Sequence, residues 1–235
     1  MTMNSLDEIK AAIQRLAAQE RHTLESWLVA SFSYDTDLLG DRVAEPAVAY
    51  GGVEQHQRLS VEEYLAFEEN SEHRHEYIDG AVYAMSGVSQ SHELVAGNLF
   101  AAIHAQLRGG PCKPYKSEFK LRLKIDQRDL FYYPDIMVAC GRVDGTSHYL
   151  LDPKLVVEVL SPSTASIDRR EKFLSYKQIA TVEDYVLVAQ DTAQITTYRR
   201  AQKWAPRVHT GPDSVVTFQS IGLSLGLGQI YEGVL

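Results

Sequence analysis

The chain is poor in cysteine, in positive charge and in long apolar runs. Its two cysteines, Cys112 and Cys140, stand far apart with no CxxC spacing. That disfavours a zinc site and gives no disulfide framework, so both read as packing residues. No apolar run approaches the ~20 residues needed to span a bilayer. The N-terminus is an acidic amphipathic stretch without the basic start and apolar centre of a signal peptide. No membrane partner is expected, and the cytoplasm is the expected location. Lys and Arg number 23 against 31 Asp and Glu, a net charge of −8. Such a balance argues against a generic nucleic-acid coat protein, whose affinity is mostly phosphate neutralisation by Lys and Arg. No internal repeat or low-complexity tract occurs.

What is present is enough apolar residue, 45% of 235, to bury one main domain with an appendage. Ser5-Leu6-Asp7-Glu8 is a capping box, followed by Leu6, Ile9, Ile13 and Leu16 at helical spacing. With Leu24, Trp27 and Leu28 this predicts a helical hairpin over residues 1–32. A hairpin of that size is too small to fold alone and must dock on the main domain or on a protein partner. Residues 33–58 dissolve into Asp, Gly, Pro and Ala and read as a linker. The main domain is expected over 59–235. It opens with a second capping box, Ser60-Val61-Glu62-Glu63, then a hairpin turning on Asp79-Gly80. A helix follows with Val95, Leu99, Ile103 and Leu107 on one stripe. His92 lies one turn earlier on that stripe, so it faces the core or a pocket in it.

Charge is distributed unevenly. Between Arg108 and Arg128 there are seven Lys and Arg against two acids, and between Leu59 and Leu107 eight acids and one arginine. Residues 116–125 alternate, with Phe119, Leu121, Leu123 and Ile125 on one face and Lys120, Arg122 and Lys124 on the other. This basic stripe is either a solvated strand face or a place to hold a polyanion.

Two further stretches, Tyr133-Pro134-Asp135-Ile136-Met137-Val138 and Leu155-Val156-Val157-Glu158-Val159-Leu160, each put one acid into an apolar strand. An unpaired buried carboxylate costs several kcal/mol, on the order of 3–5. Two such acids from neighbouring strand ends make a cradle for a hard divalent cation, which takes carboxylates, waters and phosphate oxygens. Taken singly, Asp135 can cap its strand and Glu158 can pair with Lys154 or an arginine. After Ser161-Pro162-Ser163-Thr164 a helix is expected to open near Asp168, with Asp168, Lys172 and Tyr176 on one face. Lys172 is either the i,i+4 surface partner of Asp168 or a cation reaching the charge that grows on a phosphoryl group under attack. Tyr176 can orient that lysine or touch a phosphate. The remainder is expected as strands over 184–189, 194–199, 204–209 and 215–218.

At these residues the chain resembles the PD-(D/E)XK nuclease superfamily, and within it the Uma2 endonuclease family. The likeness runs through Tyr64-Leu65, Glu76-Tyr77-Ile78-Asp79-Gly80, Ser91-His92, Tyr133-Pro134-Asp135, Pro153 with the Glu158 strand, and Asp168 with Lys172 and Tyr176. It implies an α/β fold of the restriction-endonuclease-like kind, a mixed central sheet flanked by helices, here with the helical hairpin in front. It also implies Asp135, Glu158 and the backbone carbonyl of Val159 as ligands of Mg²⁺ or Mn²⁺. Glu76 is implied as a further catalytic acid, with Glu93 as its rival, and His92 as a supporting or packing residue. The superfamily's lysine two places after the glutamate is replaced by Leu160, and its role passes to Lys172. The expected activity is hydrolysis of DNA phosphodiester bonds, with Lys120, Arg122 and Lys124 against the DNA and a homodimer as the fold-level expectation for cutting both strands. The alternative is an inactive relative that keeps the fold to bind nucleic acid or protein.

Overall fold

The computed structural model describes residues 58–85, 87–141, 148–161 and 165–235. The hairpin expected over 1–32 and the linker expected over 33–58, apart from Arg58, lie outside the described residues. Helix α1 (Val61–Glu69) starts on the expected capping box: the Ser60 hydroxyl accepts from the Glu63 amide at 3.2 Å, and the Glu63 carboxylate accepts from the Ser60 amide at 2.8 Å. Strands β1 (His75–Ile78) and β2 (Ala81–Ala84) form a hairpin. Its turn takes positive φ at both Asp79 (48°) and Gly80 (94°), which the Asp-Gly pair tolerates. Helix α2 (Gln90–Leu107) is capped by Ser89 and buries His92, Val95, Leu99 and Ile103 on one stripe.

The next strands are β3 (Cys112–Lys116), β4 (Lys120–Ile125), β5 (Arg128–Tyr132), β6 (Ile136–Cys140), β7 (Tyr149–Leu150) and β8 (Leu155–Leu160). A helical segment, α3, follows in three stretches: Ala165–Ile167, a π-type turn Asp168–Lys172, and Phe173–Tyr176. Strands β9 (Asp184–Ala189), β10 (Gln194–Arg199), β11 (Pro206–Thr210), β12 (Val215–Phe218) and β13 (Leu223–Gly226) and helix α4 (Leu227–Ile230) complete the chain. Among the described residues no helix is long and apolar enough to cross a membrane.

Two large sheets result. One has the order β2-β1-β5-β4-β7, the other β11-β10-β9-β8-β6-β3, and β12-β13 forms a separate ribbon. Both large sheets are mixed, because β8 runs parallel to β9 and β4 parallel to β7, and helices lie against them, as the expected fold class requires. Strand β8 is buried along its whole length, and its pleat divides it between two cores. Leu155, Val157 and Val159 join the α2 stripe, the β12-β13 ribbon and α4; Val156 and Leu160 join β4, β5 and α3. A smaller cluster of Tyr64, Tyr77 and Phe131 ties α1 to the five-stranded sheet.

Three expectations need correction. The stretch Tyr133–Val138, read as one acid-bearing strand, is a strand only from Ile136: Tyr133–Asp135 are the break between β5, in one sheet, and β6, in the other. The alternating run over 116–125 likewise breaks after Lys116 into β3 and β4. Cys112 and Cys140, read as unpaired packing residues, are directly opposite in the antiparallel β3–β6 ladder and form a disulfide. Separation along the chain hid a pairing that strand register creates.

Candidate active site

A cavity of about 240 Å³ opens where the β5–β6 break, the end of β8, α3 and the N-terminus of α2 meet. Asp135 lies one residue before β6, opposite Glu158 in the antiparallel β6–β8 ladder, whose last pairs are Ile136 with Val157 and Met137 with Val156. There the ladder is closed by side chains. The Asp135 amide donates to Glu158 Oε2 at 3.3 Å, and the Val159 amide donates to Asp135 Oδ2 at 2.7 Å. The Asp135 carboxylate, expected to cap its own strand, instead accepts from the neighbouring strand β8, and it faces the cavity as well.

Glu158 does not pair with Lys154, which pairs with Glu183. Its Oε1 accepts from the Tyr176 hydroxyl at 2.9 Å and lies 3.4 Å from Lys172 Nζ. Lys172 is no surface residue: only 7% of its side chain is exposed, and its ammonium also meets Glu76 at 2.9 Å and Asp168 at 3.2 Å. It reaches this place because the π-type turn carries Asp168 and Lys172 on the buried side of α3; such single π turns recur at functional sites. Leu160 lies on the same face of β8 as Glu158 and packs in the apolar cluster there. Lys172 thus comes to that face from a different element, across from the position Leu160 occupies.

Four carboxylates, Glu76, Asp135, Glu158 and Asp168, line one cavity with one ammonium and the imidazole of His92. Burial first, and then the negative neighbours Asp168, Asp135 and Glu76, drive the Glu158 carboxyl well above its usual range, with Lys172 opposing. Burial pulls Lys172 down, but Glu158, Glu76 and Asp168 overcome it and hold the ammonium charged. His92 Nε2 stands 3.3 Å from Asp135 Oδ2. Burial disfavours its charge, yet the hydrogen bond and charge of Asp135, with the Val159 carbonyl, raise its pKa above the usual histidine value.

Of the expected site residues, Asp135, Glu158, Val159, Lys172, Glu76 and His92 line this cavity. Tyr176 is buried behind Glu158 and touches that acid rather than the lysine. Glu93, the rival of Glu76, is 62% exposed and paired with Lys116 outside the cavity lining. Arg122 is engaged within the chain, donating to Asp129 at 2.9 Å and to Tyr149 at 3.0 Å, while Lys124 is exposed and Lys120 lies over the Tyr133 ring. Asp168 was legible only as a partner of Lys172 and turns out to be a fourth acid of the cavity. Tyr133 and Gln190 line it too; Tyr133 stood in the sequence only as part of the Tyr133-Pro134-Asp135 motif, and nothing in its sequence context marks Gln190.

Among the described residues no three His, Cys, Asp or Glu side chains stand in a ready-made coordination shell. The donor set nevertheless suits a hard cation. It consists of carboxylate oxygens, with four acidic side chains against two basic ones, His92 and Lys172.

Comparison with known proteins agrees with this architecture. A crystal structure described as "a putative nuclease belonging to DUF820", from Anabaena variabilis, superposes with a TM-score of 0.57 at 17% identity, covering 75% of this chain and 99% of the other. Two Synechocystis proteins are similar in sequence. "Uncharacterized protein slr1290" is 36% identical over 180 residues, 75% of this chain and 93% of that protein. "Uncharacterized protein sll1609" is 27% identical over 165 residues, 68% and 92% respectively. The model of the Uma2 family, described as "Putative restriction endonuclease", matches residues 61–228, which hold every residue of the cavity, and the chain belongs to that family.

Proposed function

We propose that this protein is an endonuclease that hydrolyses DNA phosphodiester bonds with Mg²⁺ or Mn²⁺. The observation that carries the reading is the excess of carboxylate over cationic side chains in one cavity. A module that only bound nucleic acid would gain nothing from acids that repel phosphate. Those acids become useful when a cation stands between them and the substrate. Asp135, Glu158 and the Val159 carbonyl would hold the ion, which when bound polarises a phosphoryl oxygen and activates water.

The remaining residues have roles that follow from their contacts. Tyr176 pins Glu158 Oε1, leaving Oε2 on the side of Asp135. Glu76 and Asp168 keep Lys172 protonated inside the cavity. In that state it can donate to a non-bridging oxygen of a phosphate that enters there, stabilising charge as it grows. His92 holds Asp135 from the α2 side.

The test is calorimetric titration with Mn²⁺ beside a plasmid-nicking assay in Mg²⁺ and Mn²⁺, using the parent and Asp135→Asn. Metal binding and nicking by the parent, both lost in the variant, are expected. Nicking by Asp135→Asn at the parental rate would sink the reading.

A further inference from the structure

We infer that Arg74, Tyr133 and Lys120 form a subsite for a second backbone phosphate of the strand whose scissile phosphate enters the carboxylate cavity. The inference rests on the nuclease reading and adds to it the place where the strand leaves the cavity. Tyr133 lines the cavity two residues before Asp135 and is itself nearly buried. Its ring is fixed from behind, because its hydroxyl donates to Glu68 Oε1 at 2.7 Å. Glu68 in turn accepts from the His75 amide at 2.9 Å and lies 3.0 Å from His75 Nδ1. Two cations are aimed at this fixed ring: Arg74 Cζ stands 5.8 Å and Lys120 Nζ 5.5 Å from its centroid.

The two cations on this ring differ in how they are paired. Arg74 is countered by Glu118, an acid whose side chain is 70% exposed. Lys120 is half-buried, and among the described residues no carboxylate lies within salt-bridge distance of it. Glu68 is the strongest acid acting on it, but its oxygens are already taken by Tyr133 and His75. Burial first, and then the Arg74 charge, lower the Lys120 pKa, with Glu68 and Glu69 opposing. A phosphate reached by both would give Lys120 the ion pair it lacks among the described residues, and both groups are donors suited to phosphate oxygens.

The same geometry separates Lys120 from the rest of the basic stripe. Arg122 is engaged by Asp129 and Tyr149. Lys124 lies four residues further along β4, about 13 Å from Lys120 at the usual rise of an extended strand. Only the β4 residue nearest the cavity therefore takes part. Contacts of this kind position a strand without reading its sequence.

The experiment uses the full chain and a fluorescein-labelled DNA duplex, with Ca²⁺ as the divalent ion so that binding is read apart from cleavage. Affinity is measured by anisotropy over a series of salt concentrations. Lys120→Gln and Arg74→Gln should each lower the steepness of log K against log salt by about 0.9 and weaken binding about fivefold at ~0.15 M salt, the share of one phosphate contact. Lys120→Arg should restore both. Lys124→Gln should change neither. Lys120→Gln without DNA should unfold at or above the parental temperature, since it removes a half-buried cation that has no ion pair among the described residues. Parental affinity and salt dependence in Lys120→Gln and Arg74→Gln would overturn the subsite even if the parent nicks plasmid. An equal loss in Lys124→Gln, or a parent that binds no nucleic acid, would overturn it too. A salt dependence that falls as expected in a parent inert in Mg²⁺ and Mn²⁺ would keep the subsite and remove the hydrolysis.

Discussion

Two buried ionic clusters sit on neighbouring strands of the six-stranded sheet, and they are built on opposite principles. At the start of β9, Asp184 faces Arg199 across the β9–β10 ladder, with Arg199 Nε 3.6 Å from Oδ1. Oδ2 is filled by the Ser220 amide and hydroxyl, both at 2.8 Å, and the guanidinium also donates to the Thr217 carbonyl. One acid meets one base, the acid's other oxygen is filled, and the β12–β13 ribbon is fastened to the sheet. At the end of β8 one ammonium serves Glu158, Glu76 and Asp168, with Asp135 alongside. A pair that serves the fold balances its charge. A cluster left with an excess of acids, open to a cavity, is what the proposed cation would balance.

The largest expected effect comes from breaking the balanced pair. Arg199→Met leaves Asp184 buried and uncompensated, so chemical unfolding should show a loss of ~3–5 kcal/mol. Mn²⁺ affinity of the folded variant should match the parent, because Asp184 and Arg199 are not among the residues lining the cavity. A loss well under 1 kcal/mol would mean that the pair does not fasten the β12–β13 ribbon.

Removing the ammonium from the unbalanced cluster should act differently. Lys172→Met should cost the metal-free protein no more than the ~3 kcal/mol lower end of such losses, since the acids it leaves line the cavity and Asp184 does not. Added Mn²⁺ should recover part of that stability. Cleavage should fall by roughly 10²–10³, the usual loss for one charge-stabilising donor. Because Leu160 shares the Glu158 face of β8, Leu160→Lys in that background should return part of the rate. If Lys172→Met cuts at the parental rate, the lysine is only a counter-ion of the acids.

Local patterns were legible in the sequence and relations between distant segments were not. The α1 capping box, the Asp79-Gly80 turn and the α2 stripe follow from neighbours a few residues apart, and all three stand as read. Asp135 and Glu158 were visible because an acid in an apolar strand is conspicuous whatever surrounds it. The Cys112–Cys140 pairing, the division of β5 and β6 between two sheets and the strand β13 depend on which strands become neighbours. No local pattern carries that information. The contact of Lys172 with Glu76 joins α3 to the first hairpin, and the engagement of Arg122 by Asp129 depends on the β4–β5 register. Alternation showed the face Arg122 is on and nothing of its partner.

Neutralising an acid instead of the base sharpens the contrast at smaller cost to the fold. Glu158→Gln or Asp135→Asn relieves repulsion in the cavity, so the metal-free variants should unfold at the parental temperature or above it. Mn²⁺ affinity should nevertheless drop by more than the ~10–100-fold typical of losing a group that merely supports a ligand. Calorimetry and thermal unfolding on the same samples give both readouts. A variant that loses stability and keeps its metal would make these acids part of the fold's support, like Asp184.

The smallest effect concerns the balanced side of the molecule, where a histidine sits among cations. His209 Nδ1 lies 3.1 Å from the Val215 carbonyl, and Nε2 lies 3.4 Å from the Thr197 hydroxyl. Burial, then the charges of Arg207 and Arg199, lower its pKa below the usual value, with the Val215 carbonyl opposing. The folded state therefore binds this proton less readily than the unfolded chain, whose histidine titrates near ~6.5. Stability from the neutral ring is complete above that pH and is lost as pH falls through it toward the folded pKa, because protons then favour the unfolded state. His209→Asn keeps an amide donor toward Val215 and removes the titration. Unfolding free energies measured from pH 8 to pH 5 should show the parent ahead at the alkaline end and its lead over the variant narrowing on the acid side. A lead constant with pH would place the His209 ring in contact with water, outside the field of Arg199 and Arg207. The ionic cluster at β9 and β10 would then be less sealed than its balanced charges imply.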